Sequence, residues 1–223
     1  DAGLFGVVDS AKISNLVVYG SVSSASALHG GAIVGKLTNN ATIDGCGFVG
    51  NVNLSSNSNE TISAGGIAGI ITNGGTITNC YHNGKITSSK NAGGILGTNI
   101  GYGFRGYYNG GNHTIKNLYI NRIGEMQNYT GLFGWIYGET IIENLAVFGN
   151  VICEGGAVGG IVGEIGFGTK IRNCAFIGNV TFNTSGGGII GSIWCGEIGV
   201  ENCYFNGNLI SKSDTDCFLY HLL

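Results

Sequence analysis

Gly101-Tyr102-Gly103-Phe104-Arg105-Gly106 has the spelling of the glycine fingerprint that lets a backbone approach a dinucleotide pyrophosphate. That chemistry needs a strand before the glycines and a helix after them, whose amino end holds the phosphates. Here Tyr107-Tyr108-Asn109-Gly110 continues as a turn, and a chain with 43 glycines produces such spellings by chance. The dinucleotide reading is rejected. Neither a Gly-x-Ser-x-Gly nucleophile elbow nor a His-Glu-x-x-His metal motif occurs. His29, His82, His113 and His221 share no common position in the pattern described below. Glycoside chemistry wants two carboxylates roughly 5–10 Å apart. Glu164, Glu197, Asp214 and Asp216 offer no pair that spacing can assign. No catalytic residue, cofactor or metal ligand is expected.

Recognition chemistry remains. Tyr102, Phe104, Arg105, Tyr107, Tyr108 and His113 are concentrated between Thr98 and His113. Aromatics with one Arg suit stacking on a sugar or gripping a protein partner. The plainer account is that they cover the opening of a new structural block. A smaller insertion at Asn121–Thr130, with Arg122, Glu125 and Tyr129, would lie beside them. The Ser- and Asn-rich stretch from Asn53 to Ser63 reads as a solvated loop.

The elements that must position these residues are repeats. Two apolar residues between glycines, or Ala and Gly, recur as Gly3-Leu4-Phe5-Gly6, Ala32-Ile33-Val34-Gly35, Gly66-Ile67-Ala68-Gly69, Gly94-Ile95-Leu96-Gly97, Gly131-Leu132-Phe133-Gly134, Gly160-Ile161-Val162-Gly163 and Gly188-Ile189-Ile190-Gly191. A second phrase follows in step, from Ile13-Ser14-Asn15-Leu16 through Ile77-Thr78-Asn79-Cys80 and Ile115-Lys116-Asn117-Leu118 to Val200-Glu201-Asn202-Cys203. Each unit holds short β-prone pieces separated by Gly and Asn, with no sustained helical period. A unit this short cannot bury its own apolar face and must stack on its neighbours. The fold expected is an all-β parallel β-solenoid with coils of about 28 residues, right-handed by the usual crossover preference. A longer period divides it into residues 1–102 and 103–223, two blocks of one continuous solenoid. The first block lacks the opening phrase of the second, and the last coil is degenerate.

Stacked coils turn repeated positions into columns. Ser14, Asp44, Thr78, Lys116, Glu143, Arg172 and Glu201 form one, expected to face solvent with its last four members alternating in sign. Asn15, Gly45, Asn79, Asn117, Asn144, Asn173 and Asn202 form the next, suited to a left-handed corner. Leu16, Cys46, Cys80, Leu118, Leu145, Cys174 and Cys203 follow; Cys exchanging with Leu reads as a small buried hydrophobe. Seven cysteines without a Cys-x-x-Cys favour neither a disulfide framework nor a zinc site, although Cys174 and Cys203 could stack on adjacent coils.

These phrases resemble the GLUG repeat of bacterial cell-surface proteins, a family that includes adhesin-like proteins and parts of immunoglobulin-A-cleaving metallopeptidases. Residues 104–115 resemble the start common in that family, with Asn109 where Asp is usual. The resemblance implies an extracellular or cell-surface β-solenoid and brings no catalytic residue with it.

Only 10% of residues are charged and the net charge is −3, so no basic stripe exists to displace counterions from nucleic acid. No apolar run is long enough to span a bilayer. The expected role is a non-catalytic segment of a secreted or surface-anchored protein, acting as a stalk or an adhesive surface. The partners expected are host or community glycans or extracellular proteins, with end-to-end self-association open to uncovered strand edges. A polysaccharide-active β-helix enzyme and a self-assembling rod are the alternatives.

Overall fold

The computed structural model describes residues 1–56, 58, 60–100, 107–122 and 129–213. Among them all regular structure is β-strand, and the strand pairs of the ladders run parallel. Seven copies of the glycine phrase stack in one register, Phe5 on Val34, Ala68, Leu96, Phe133, Val162 and Ile190 in turn. They mark seven levels joined by about six turns, a β-solenoid with coils of about 30 residues.

The glycine phrase is a fold-back. In level two a short strand, His29–Gly31, turns through Ile33 into a second strand, Val34–Thr38. Successive levels pass so close at this fold that a Cβ on Gly69 of level three would lie 2.6 Å from the nitrogen of Gly30 in level two. A Cβ on Gly97 would lie 2.8 Å from the carbonyl of Ala64. Only hydrogen fits there, which is why the phrase ends in glycine. The apolar residue at the fold, Ile33, Ile67, Ile95, Leu132 or Ile161, is completely buried. A first solenoid wall therefore forms from the doubled segments, and it runs unbroken past the block boundary, since Asn91–Ile100 pairs with strands on both sides.

The second phrase builds the opposite corner. Ile13, Ile43 and Ile77 stack in register, as do Ile142, Ile171 and Val200. Asn15, Asn79, Asn144, Asn173 and Asn202 all have φ between 51° and 57°, with Gly45 at 62°. Their amides bond along the column: Asn202 Nδ2 donates to Asn173 Oδ1 at 3.2 Å, and Asn173 to Asn144 at 3.1 Å. A parallel amide ladder, Asn208 to Asn179 to Asn150 at 2.9 Å per step, had no sequence-based forecast.

Level four departs from the expected columns. Tyr108 is opposite Ile142, so Tyr108 rather than Ile115 holds the isoleucine position. Ile115 lies opposite Val147, and Leu118 opposite Gly149, one strand further along. Lys116, Asn117 and Leu118 therefore leave the three columns to which spacing assigned them. Asn109 takes the place given to Lys116, opposite Glu143, and donates to Asn144's neighbour in the carboxylate column. The expectation that this column faces solvent also fails at Glu143. It is buried at 6% exposure because Tyr107, Asn109 and Arg172 all hydrogen-bond its carboxylate.

The cysteine column behaves as expected from its exchange with leucine. Cys46, Cys80 and Cys174 are buried with Leu145, and all six described cysteines are free. One strand on, an interior column runs Phe48, His82, Ile115, Val147, Phe176. His82 stacks on Phe48 with ring centroids 5.7 Å apart and places Nε2 3.0 Å from the Gly50 carbonyl. Burial holds its pKa down to about 4, so it sits in the core as a neutral ring.

Candidate functional site

The site is built where the ladder fails. Level three presents Gly75–Thr78 and Tyr81–Asn83, each paired to level two on one side. On the level-four side neither has a ladder partner among the described residues; one backbone bond, Asn79 N–H to Asn109 O at 3.0 Å, spans the gap. Pairing resumes only at Lys85 with Tyr119 and Ile86 with Ile120.

The cause is local to level four. Asn109 is opposite Glu143 and His113 opposite Leu145, so Gly110, Gly111 and Asn112 occupy the length of Asn144 alone. Gly111 and Asn112 both take left-handed φ, 60° and 58°, and bulge outward. A strand carrying this bulge cannot match level three residue for residue. The result is a hollow of about 290 Å³ between the levels, lined by Asn79, Tyr81, Gly110, Thr114, Ile115 and Leu145, with Cys80 and Tyr108 beneath.

The floor is firm. Tyr108 is 3% exposed, meets Phe133 edge-on at 5.0 Å between centroids, and donates its hydroxyl to the Cys80 carbonyl at 2.7 Å. Complete burial pushes the phenol's pKa well up, so it stays a donor. Tyr81 forms the outer lip; its ring lies across Gly47, where a Cβ would come within 2.2 Å of Cζ. Asn79 is aimed by its bond to Asp44 Oδ1 at 3.0 Å. Thr78 and Asn79 donate to the Asp44 carboxylate and hold it below the usual carboxylate range. On the other flank of the bulged strand a hollow of about 330 Å³ is lined by Asn117, Tyr119, Phe148 and Asn150. Lys85 Nζ lies 5.7 Å from the Tyr119 ring centroid.

Of the residues singled out from sequence, Tyr102, Phe104 and Arg105 lie outside the described residues, as does Glu125. His113 is placed by its backbone, opposite Leu145. Tyr107 is half-buried, donating to Glu143, while Tyr108 is in the core. Arg122 is buried as well, its guanidinium bonding the carbonyls of Gly155 and Ser89 at 3.1 and 3.3 Å. The exposed lip residue, Tyr81, was missed because it sits inside a repeat phrase. The signal available was the bulk of Tyr81 beside Gly47 in the same column.

Among the described residues no group of three or more His, Cys, Asp or Glu could hold a metal ion, and no helix is long and apolar enough to cross a membrane. Residues 154–181 match the family profile described as the GLUG motif. The chain is also similar to Halomucin of Haloquadratum walsbyi, 38% identical over 89 residues. That alignment takes in 40% of this chain and 1% of Halomucin, so the chain spans a small fraction of that relative's length. No solved structure matches.

Proposed function

We propose that this chain is a non-catalytic solenoid segment of a secreted or surface-anchored protein, with the level three–level four cleft as its recognition surface. The solenoid and the GLUG motif at 154–181 support a repeat segment, and the likeness to Halomucin supports an extracellular setting. One observation carries the choice of surface. Among the described residues Gly75–Thr78 and Tyr81–Asn83 have no ladder pairing to level four, and the cleft there carries a tyrosine lip and a threonine rim before pairing resumes at Lys85 and Ile86. A rigid, buried floor under an open rim is how folds present binding groups.

Binding of the chain to an array of glycans and extracellular proteins tests this, alongside Tyr81→Ala and Thr114→Lys. Saturable binding lost in both variants supports the cleft. Binding that survives both removes the cleft and keeps the class. A folded chain that binds nothing leaves a stalk. End-to-end stacking is the second reading, since strand edges left uncovered recruit further strands.

A further inference from the structure

Where cysteine replaces leucine in the buried column, it does so on adjacent levels. Gly47 pairs with Tyr81, whose N–H bonds the Cys46 carbonyl at 3.0 Å, so Cys80 stands directly over Cys46. Arg172 pairs with Glu201 and Ala175 with Tyr204, so Cys203 stands over Cys174 in the same way. In both pairs the sulfur of the later level leans back across the gap. Cys80 Sγ accepts the Cys46 N–H at 3.4 Å and lies 3.9 Å from the Ile43 carbonyl. Cys203 Sγ lies 3.6 Å from the carbonyl of Ile171, the matching residue of its own lower level. Within each pair the two thiols hydrogen-bond each other. Directly opposed strand residues are about 4.8 Å apart at Cα, inside the range of about 4.4–6.8 Å that a disulfide spans.

We propose that Cys46–Cys80 and Cys174–Cys203 are two oxidisable dithiol sites, which close into disulfides between levels when a small-molecule disulfide such as glutathione disulfide is supplied. The structure is the reduced form, in which all six described cysteines are free. The proposal goes beyond the recognition reading and does not depend on what the cleft binds.

The exchange proceeds in two steps. A thiolate of the pair attacks one sulfur of glutathione disulfide; that S–S bond breaks, and a glutathione thiolate leaves with the electron pair. The neighbouring protein thiolate then attacks the protein sulfur of the mixed disulfide, and the second glutathione leaves. Both cysteines lose their protons, and two electrons pass to glutathione, which ends as two thiols. The bond between the thiols lowers the pKa of one member of each pair, so the attacking thiolate forms more readily than at an isolated cysteine. Each pair also has a point of entry. Cys80 lines the floor of the hollow between levels three and four, and Cys203 is only half-buried. Cys153 is buried opposite Arg122 and serves as the internal control. A bridge at Cys46–Cys80 would fasten level three to level two along the wall of the cleft.

The test equilibrates the whole chain with mixtures of reduced and oxidised glutathione, both in the folded state and during refolding from urea. Samples are denatured without reductant, blocked with N-ethylmaleimide and mapped by mass spectrometry. The oxidised mixture should yield peptides joining Cys46 to Cys80 and Cys174 to Cys203, each lighter by two hydrogens, with Cys153 labelled. Reduced glutathione alone should leave all four thiols labelled. Cys80→Ala should free Cys46 for labelling and keep the other bridge, and Cys203→Ala should do the converse. Oxidation should raise the urea midpoint, and each variant should lose about half of that rise. The peptide map of the parent chain decides the matter if a variant does not fold. Four labelled thiols after refolding in the oxidised mixture, bridges that recruit Cys153, or a lower urea midpoint in the oxidised form would overturn the proposal.

Discussion

The hydroxyl of Tyr108 donates to the backbone carbonyl of Cys80 at 2.7 Å, across the place where, among the described residues, levels three and four have no ladder pairing. A side chain here does the work of a missing ladder bond. Tyr108→Phe keeps the ring against Phe133 and strands the carbonyl. We expect a loss of about 1–2 kcal/mol, read by urea unfolding. Tyr108→Ala also opens a cavity and should lose about 3–5 kcal/mol. A Tyr108→Phe variant as stable as the parent would mean the hydroxyl bond contributes nothing.

Asn173 has φ 53° and sits between two amide bonds of its ladder. Replacement by Ala forces an ordinary side chain into left-handed backbone and removes both bonds, costing about 2 kcal/mol. Gly in the same place keeps the conformation and should cost about half of that. A larger loss for Gly than for Ala in thermal unfolding would show that backbone conformation is not what Asn provides.

His82 gives the fold an acid sensitivity of definite sign. Its folded pKa, held by burial at about 4, is below the unfolded value, so the unfolded chain binds the extra proton first. Stability should fall as pH drops from about 6.5 towards 4, by an amount on the order of 3 kcal/mol. His82→Phe, which continues the ring stack on Phe48, should flatten that part of the profile. An unchanged profile in the variant would place the titration elsewhere.

Glu164 works in the opposite direction. It is 8% exposed, and burial raises its pKa despite hydrogen bonds from Tyr129 and Ser192. A raised carboxylate costs stability once ionised, and that cost disappears as pH falls through its folded pKa. Glu164→Gln should therefore stabilise the protein at pH 7 and lose its advantage in acid. Denaturant midpoints at the two pH values decide the sign.

Thiol accessibility should follow the columns. Cys195 is exposed and should react with a maleimide in the native protein, whereas Cys46, Cys80, Cys153 and Cys174 should react only on unfolding. Peptide mapping separates them. A buried cysteine that stays unlabelled after non-reducing denaturation would reveal a disulfide.

The sequence by itself determined the solenoid, because seven copies of a glycine-bounded apolar pair can bury their hydrophobic faces only by stacking in register. It also determined the left-handed corner, where Asn or Gly recurs at a position other residues occupy at a cost. Tertiary structure decided the rest. Ile115-Lys116-Asn117-Leu118 has the spelling of the repeat, yet the extra length at Gly110–Asn112 moves it one strand along and brings Tyr108 into the vacated core position. That choice depends on which side chain fills a space shaped by neighbouring levels, and no local pattern encodes it. Glu143 looked like one exposed charge in an alternating column and became buried once Asn109 was brought opposite it and Tyr107 bonded its carboxylate. Tyr137 and Trp194 follow their glycine phrases, which start at Gly131 and Gly188, at the same interval, with Gly166 at that place in the level between, so the repeat itself aligns them. Tertiary structure decided that their rings meet, 5.6 Å apart between centroids across the recess at Gly166.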